Sequence, residues 1–175
     1  MSTQNPGKIY QIAYVVEDLS KALSDWLKLT SAGPFFLFEH FEFVDPVYRG
    51  EPTDVDISIA LGYSGGLCIE LIQQHDQRPS VYQEEIATKG YGQHHVAVLE
   101  PQIEQRIKKY EAQGSPCLFR GAFAMGAQVA YLDTRATLGC MLELVESNDI
   151  TRAVLKDMQQ AHEEWDGHDP VRVIA

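Results

Sequence analysis

Gly90-Tyr91-Gly92-Gln93-His94-His95-Val96-Ala97-Val98-Leu99-Glu100 is the stretch from which the fold can be read. The apolar run that starts at His95 has the make-up of a strand, and along a strand side chains alternate between faces. Gln93, His95, Ala97 and Leu99 are therefore expected on one face, with His94, Val96 and Val98 on the other. His95 then sits beside a small alanine, on a face with room for a ligand. The run also has a counterpart earlier in the chain. Gln11-Ile12-Ala13-Tyr14-Val15 matches His95-Val96-Ala97-Val98-Leu99 at an offset of 84, and at that same offset Leu19, Leu23 and Trp26 match Ile103, Ile107 and Tyr110. Further on, Cys68-Ile69-Glu70-Leu71-Ile72 matches Met141-Leu142-Glu143-Leu144-Val145. Repetition of this extent implies two copies of one unit, each a strand, a helix and three more strands.

In the first copy, Lys8 to Val16 has strand composition, and Asp18 or Ser20 offers a cap for a helix whose apolar face is Leu19, Ala22, Leu23, Trp26 and Leu27. Gly33-Pro34 ends that helix, and Phe35 to Val44 reads as an aromatic strand. Asp45 to Thr53, with two prolines and a glycine, reads as a loop. Asp54 to Gly62 and Leu67 to Gln73 read as a hairpin. His75 to Gly92 is polar and irregular and is expected to cross between the halves. In the second copy, Ser115 to Gly121 and Ala127 to Asp133 supply the middle strands. The expected organisation is one domain over residues 8–146, made of modules 8–73 and 92–146, followed by a helical tail over 147–175. In that tail Ile150, Val154, Met158 and Ala161 recur at helical spacing, while His162 and His168 lie among acids and read as a solvated, frayed end.

Composition narrows the functional classes. With 25 acidic against 14 basic residues the formal net charge is -11, which opposes binding to a phosphate backbone, so no nucleic acid partner is expected. No apolar stretch approaches the roughly 20 residues that a membrane-spanning helix needs. The first residues, MSTQNPGK, show no basic region followed by an apolar one, so a cytoplasmic location is expected. Cys68, Cys117 and Cys140 lack metal-finger spacing and read as reduced small hydrophobes.

The repeat brings four residues to equivalent positions: Gln11 and His95 on the first strands, Glu70 and Glu143 on the last. Ile69, Leu71, Leu142 and Leu144 belong to a core-packing face, which leaves both glutamates on the opposite one. A carboxylate inside an apolar strand is expensive to bury unless it is paired, hydrogen-bonded or bound to a cation. A divalent ion held by two carboxylates, an imidazole and an amide oxygen satisfies all four residues. His94, His40 and His75 are read as structural.

With these residues in place the chain resembles the vicinal oxygen chelate superfamily, which includes glyoxalase I, methylmalonyl-CoA epimerase, extradiol dioxygenases and the bleomycin-resistance proteins. The resemblance covers about Lys8 to Glu146, and GYGQHHVAV, preceded by a crossing segment and followed by a helix, is most similar to the glyoxalase and epimerase branch. It implies an α+β fold in which two βαβββ modules form a half-closed barrel around a cavity, here with an added C-terminal helix. It also implies metal ligands on the first and last strands of each module, namely Gln11, Glu70, His95 and Glu143, around one divalent ion of zinc, nickel, cobalt, manganese or magnesium. Many members carry histidine where this chain has Gln11, although some glyoxalases use glutamine there.

Only one of the four positions is histidine, which disfavours the two-histidine, one-carboxylate arrangement of ferrous dioxygenases. An oxygen-rich site suits a Lewis acid that polarises a carbonyl while a flanking carboxylate, Glu143 first and Glu70 second, takes the adjacent proton. The expected function is a metal-dependent lyase or isomerase of the glyoxalase or methylmalonyl-CoA epimerase type. The alternative is a metal-free, small-molecule-binding protein of the bleomycin-resistance kind. The expected partners are a small molecule with a carbonyl or thioester and a second copy of the chain. Arg49, Arg78, Lys89 and Arg120 are the candidates for holding an anionic substrate, whereas Phe35, Phe36, Phe38, Phe41 and Phe43 would wall a pocket for a hydrophobic carbonyl compound.

Overall fold

The computed structural model describes residues 7–174. The first copy of the repeat folds as β1 (Ile9–Val15), α1 (Leu19–Leu29), β2 (Phe35–Phe41), β5 (Ile57–Ser64) and β6 (Leu67–Gln74), with a small hairpin, β3 (Val44–Tyr48) and β4 (Glu51–Pro52), between β2 and β5. A short helix, α2 (Val81–Lys89), leads to the second copy: β7 (Gly92–Glu100), α3 (Ile103–Ala112), β8 (Cys117–Ala122), β9 (Gln128–Leu132), the single turn α4 (Arg135–Leu138) and β10 (Met141–Glu146). Helix α5 (Asp149–Glu163) and β11 (Val171–Val173) end the chain.

All strands join one sheet in the order β11-β2-β5-β6-β1-β7-β10-β9-β8-β3-β4. The order β2-β5-β6-β1 is mirrored by β8-β9-β10-β7, so the two βαβββ modules meet at the antiparallel β1–β7 pair. β1 runs parallel to β6, and β7 runs parallel to β10. This arrangement puts the first and last strands of both modules side by side at the centre of the sheet. Two residues after β2, at one side of the sheet, the chain enters β3, which pairs with β8 at the other side. The sheet must therefore curl until its ends nearly meet. β2 and β3 do not pair with each other, which leaves the barrel open along that seam.

Helices α1 and α3 cover the outer face, each on its own module. Leu19 and Leu23 pack with Ala60, Ile69 and Leu71, and Ile103 and Ile107 pack with Val96, Val98, Leu142 and Leu144. The expected period of two thus holds along β6 and β10, and it turns Glu70 and Glu143 inwards. Asp18 rather than Ser20 caps α1, accepting a hydrogen bond from the Lys21 amide at 2.9 Å.

Four sequence expectations need correction. Asp45 to Thr53 is the β3–β4 hairpin and not a loop; Pro52 fits because β4 is the edge strand, and Pro46 because it falls in the irregularity between Val44 and Val47 where the pairing with β8 is interrupted. The crossing segment His75 to Gly92 is not irregular throughout, since Ser80 accepts from the Tyr82 and Gln83 amides and starts α2. The His162 region is not frayed. Its Nδ1 lies 2.6 Å from the Gly33 carbonyl oxygen, and its Nε2 accepts from the Gly65 amide at 3.0 Å, pinning the end of α5 to the first module. Lastly, β7 does not alternate through its histidines. Ala13 pairs with His95 but Tyr14 pairs with Gln93, so His94 is the extra residue of a β-bulge and its ring lies beside that of His95 instead of facing away. A matching irregularity at Tyr10 in β1 sets Tyr10 on the same side as Gln11.

Ser80→Ala removes two hydrogen bonds from the start of α2 and is expected to cost about 1 kcal/mol. Thermal unfolding should shift down by about 2–4 °C for a chain of this size, and an unchanged midpoint would show that α2 is held by its packing alone.

Candidate metal centre

The centre lies where the four inner strands of the sheet converge. Gln11 on β1, His95 on β7, Glu70 on β6 and Glu143 on β10 are all buried. Glu70 Oε2 and Glu143 Oε2 each lie 3.2 Å from His95 Nε2. Gln11 Nε2 donates to Glu70 Oε2 at 2.9 Å and lies 3.5 Å from His95 Nε2. The structure therefore brings together all four residues singled out in the sequence, around one imidazole nitrogen.

Electrostatics explains why they stay together. Burial raises the Glu70 pKa, with the nearby His95 opposing the rise. Burial alone would lower the His95 pKa, but the carboxylates of Glu143 and Glu70 override it and hold the imidazole up at about 9. Without a metal ion, a proton on His95 thus supplies the positive charge between two carboxylates. The same place could hold a divalent cation. Ligand atoms from Glu70, His95 and Glu143 all lie within 4.8 Å of one another, and two carboxylates balance its charge. Gln11 joins such a set once its amide turns over to present Oε1.

A second layer orients His95. His94 Nε2 donates to the Val81 carbonyl oxygen at 3.1 Å, and burial, reinforced by the neighbouring His95, lowers the His94 pKa to about 3. His94 is therefore neutral, and its Nδ1 accepts from His95 Nδ1–H at 2.9 Å. That leaves His95 Nε2 as the nitrogen aimed at the carboxylates. The chain of contacts runs from the first residue of α2 to the centre, so the segment expected to be irregular fixes the histidine tautomer.

The four residues close one end of a cavity of about 340 Å³, into which Gln11, Glu70 and Glu143 open directly. Tyr10, Tyr82 and Tyr131 flank them; Tyr131 lies opposite Glu143 in the β9–β10 ladder, with its ring 5.0 Å from that of His95. Burial raises the pKa of all three phenols. Tyr82 and Tyr131 carry no signal of this role in the sequence. Only Tyr10 left a trace, since it stands at the same offset from His94 as Gln11 does from His95.

Other candidates lie elsewhere. Arg49 pairs with Glu84, Arg78 with Asp54, Lys89 with Glu85 and Arg120 with Glu104, and none of these four basic residues lines the cavity. His40, Asp56 and His75 form another group, but it is largely exposed and its contacts are internally satisfied: His40 Nδ1 meets Asp56 at 2.7 Å and His75 Nε2 meets Ser58 Oγ at 2.7 Å. Among the described residues no helix is long and apolar enough to cross a membrane.

Comparison with known proteins agrees with this architecture. The structure is similar to a hypothetical protein from Bacillus halodurans C-125, at 23% identity and a TM-score of 0.57 over 81% of this chain and 95% of that one. It is also similar to methylmalonyl-CoA epimerase from Mycobacterium tuberculosis, at 16% identity and a TM-score of 0.57 over 87% of this chain and 96% of that one. A methylmalonyl-CoA epimerase of Streptomyces coelicolor in complex with 2-nitronate-propionyl-CoA matches at 19% identity, with a TM-score of 0.52 over 83% of this chain and 97% of that one. At such identities the likeness is one of fold. No curated protein matches the chain. The sequence pattern of the Glyoxalase/Bleomycin resistance protein/Dioxygenase superfamily, however, matches residues 10–131, from the first strand of one module to the penultimate strand of the other, and the chain belongs to that superfamily.

Proposed function

We propose that the chain is a metal-dependent lyase or isomerase of the glyoxalase or methylmalonyl-CoA epimerase type, which removes a proton from the carbon next to a carbonyl. The observation that carries this reading is the buried set of Glu70, His95 and Glu143, whose two carboxylates open into the cavity. A divalent ion of zinc, nickel, cobalt, manganese or magnesium, held by Gln11, Glu70, His95 and Glu143, would supply Lewis-acid polarisation of the carbonyl. The rest falls to the protein. Glu143 contacts only His95 within the set, whereas Glu70 is tied to both Gln11 and His95, so Glu143 is the freer carboxylate to take the proton. Glu70, its pKa raised by burial, suits holding a proton and returning it. The phenols of Tyr10, Tyr82 and Tyr131 stay protonated and can donate to oxygen as negative charge builds there.

The epimerase neighbours lend the reaction type, and the apolar cavity also favours a second reading, a metal-free protein that sequesters a small molecule. The two are separated by incubating the protein with and without each divalent ion in deuterated water. Methylglyoxal with glutathione, methylmalonyl-CoA and neutral 2-hydroxyketones are then followed for ion-dependent turnover or loss of the α-proton. Ion uptake with exchange on any of them supports the enzyme; no uptake of any ion and no exchange favours the sequestering protein.

The orienting role of His94 makes a separate prediction. His94→Phe keeps a buried ring but removes the acceptor for His95 Nδ1–H, and ion affinity should fall about 10–100-fold in a chelator competition titration. Unchanged affinity would show that packing alone orients His95.

A further inference from the structure

The charge and shape of the cavity carry a conclusion about what enters it. Away from the glutamates its wall is almost wholly apolar, with Phe38, Phe41, Phe43 and Phe123 on one side and Leu155 and Met158 of α5 on another. Among the described residues, those that line it and carry charge are Glu39, Glu70 and Glu143, with no lysine or arginine. The basic residues best suited by sequence to hold an anion are engaged with carboxylates elsewhere. A phosphate or carboxylate drawn into this space would shed water and find no lysine or arginine, while the positive charge at His95 is already balanced by Glu70 and Glu143 and Glu39 adds a further negative one.

Helix α5 adds a size limit. It lies after both modules, yet Thr151, Val154, Leu155 and Met158 all line the cavity, and Ile174 beyond it does too. The Asn148 cap fixes its first turn, accepting from Thr151 N at 2.8 Å, and His162 ties its last turn to Gly33 and Gly65. β11 then pairs with β2. The helix is thus a fastened roof, held at both ends.

We infer that the substrate is an uncharged hydrophobic carbonyl compound with alkyl or aryl arms, such as a 2-hydroxyketone, and not a coenzyme A or glutathione conjugate. Its carbonyl end faces Gln11, Glu70 and Glu143, and the arms lie against the phenylalanines and α5. This inference rests on the proposed reaction for the place of the carbonyl, and on the wall alone for the arms.

Binding and exchange are therefore measured separately. Isothermal titration of the ion-loaded protein with acetoin, propioin and butyroin lengthens both neutral arms by one methylene at each step. Full burial of a methylene is worth about fourfold in affinity, so affinity should climb about tenfold or more at each step. Propionyl-CoA should bind at least about 100-fold more weakly than butyroin, consistent with the cost of burying unpaired charge. Met158→Arg, checked for native circular dichroism, should abolish the gain with arm length while leaving ion uptake unchanged. The unmodified protein tests the same point without relying on that variant. Flat affinity across the three ketones, or tighter binding of propionyl-CoA than of butyroin, overturns the inference and leaves the proton-transfer reading standing. Butyroin that binds with the expected gain but keeps its α-proton supports the inferred ligand class and overturns the proposed reaction.

Discussion

Glu143→Gln should lower turnover by about 10²–10⁴-fold, the usual contribution of a positioned general base, while substrate affinity stays within a few-fold of the unmodified protein. The side chain keeps its size and a polar contact to His95, so its place opposite Tyr131 is preserved. What disappears is the oxygen able to accept a proton from carbon. The sign of the accompanying change at His95 also follows. Glu143 is the leading influence that holds the imidazole up at about 9, so removing its charge lowers that value. Comparing kcat with KM, together with α-proton exchange into deuterated water, separates the roles. Loss of exchange with KM retained assigns the base to Glu143. Retained exchange removes it from that role and passes the test to Glu70→Gln. Loss of bound ion in Glu143→Gln would instead mean that this carboxylate is needed chiefly as a ligand.

The parts of this site that could be read from sequence are those that obey a simple period. The inward direction of Glu70 and Glu143 is legible because Ile69, Leu71, Leu142 and Leu144 pack outward on regular strands. Gln11 and His95 followed from the repeat. His94 was misplaced because one inserted residue resets the alternation, and a bulge leaves no mark in composition. The α2 helix is hidden because its buried positions, Val81, Tyr82 and Glu85, follow helical spacing but one of them is a glutamate, which breaks the apolar stripe. The β3–β4 hairpin was missed because its prolines and glycine read as turn residues wherever the edge of a sheet cannot be foreseen. For α5 the spacing gave the helix and its apolar face, but which cavity that face roofs is decided by contacts far apart in the chain, such as His162 with Gly33.

Adding a divalent ion to the metal-free protein should raise its melting temperature, and the rise should grow with pH. His95 has a folded-state pKa of about 9 against 6.5 for the free side chain. Its stabilising proton is therefore fully present below about pH 6.5 and is lost as pH rises through 9. Glu70, raised by burial, acts in the same direction, because its ionised form is the less welcome one in the folded chain. The metal-free protein should thus melt lower at pH 8.5 than at pH 6.5. An ion at His95 Nε2 takes the place of that proton, so binding at neutral pH releases about one proton and strengthens by up to about tenfold per pH unit below 9. With ion at 100 times its dissociation constant the gain is about 2.7 kcal/mol. For a chain of this size that corresponds to a rise of about 5–10 °C. Calorimetry at pH 6.5, 7.5 and 8.5, with and without cobalt, reads both slopes, and titrations in buffers of different ionisation heat count the protons released. His95→Ala should lose the ion effect and the part of the pH dependence that runs through 9, leaving the part that belongs to Glu70. A melting temperature indifferent to ion and pH in the unmodified protein would mean that the carboxylate pair is held by hydrogen bonds alone, and the Lewis-acid role would have to be abandoned.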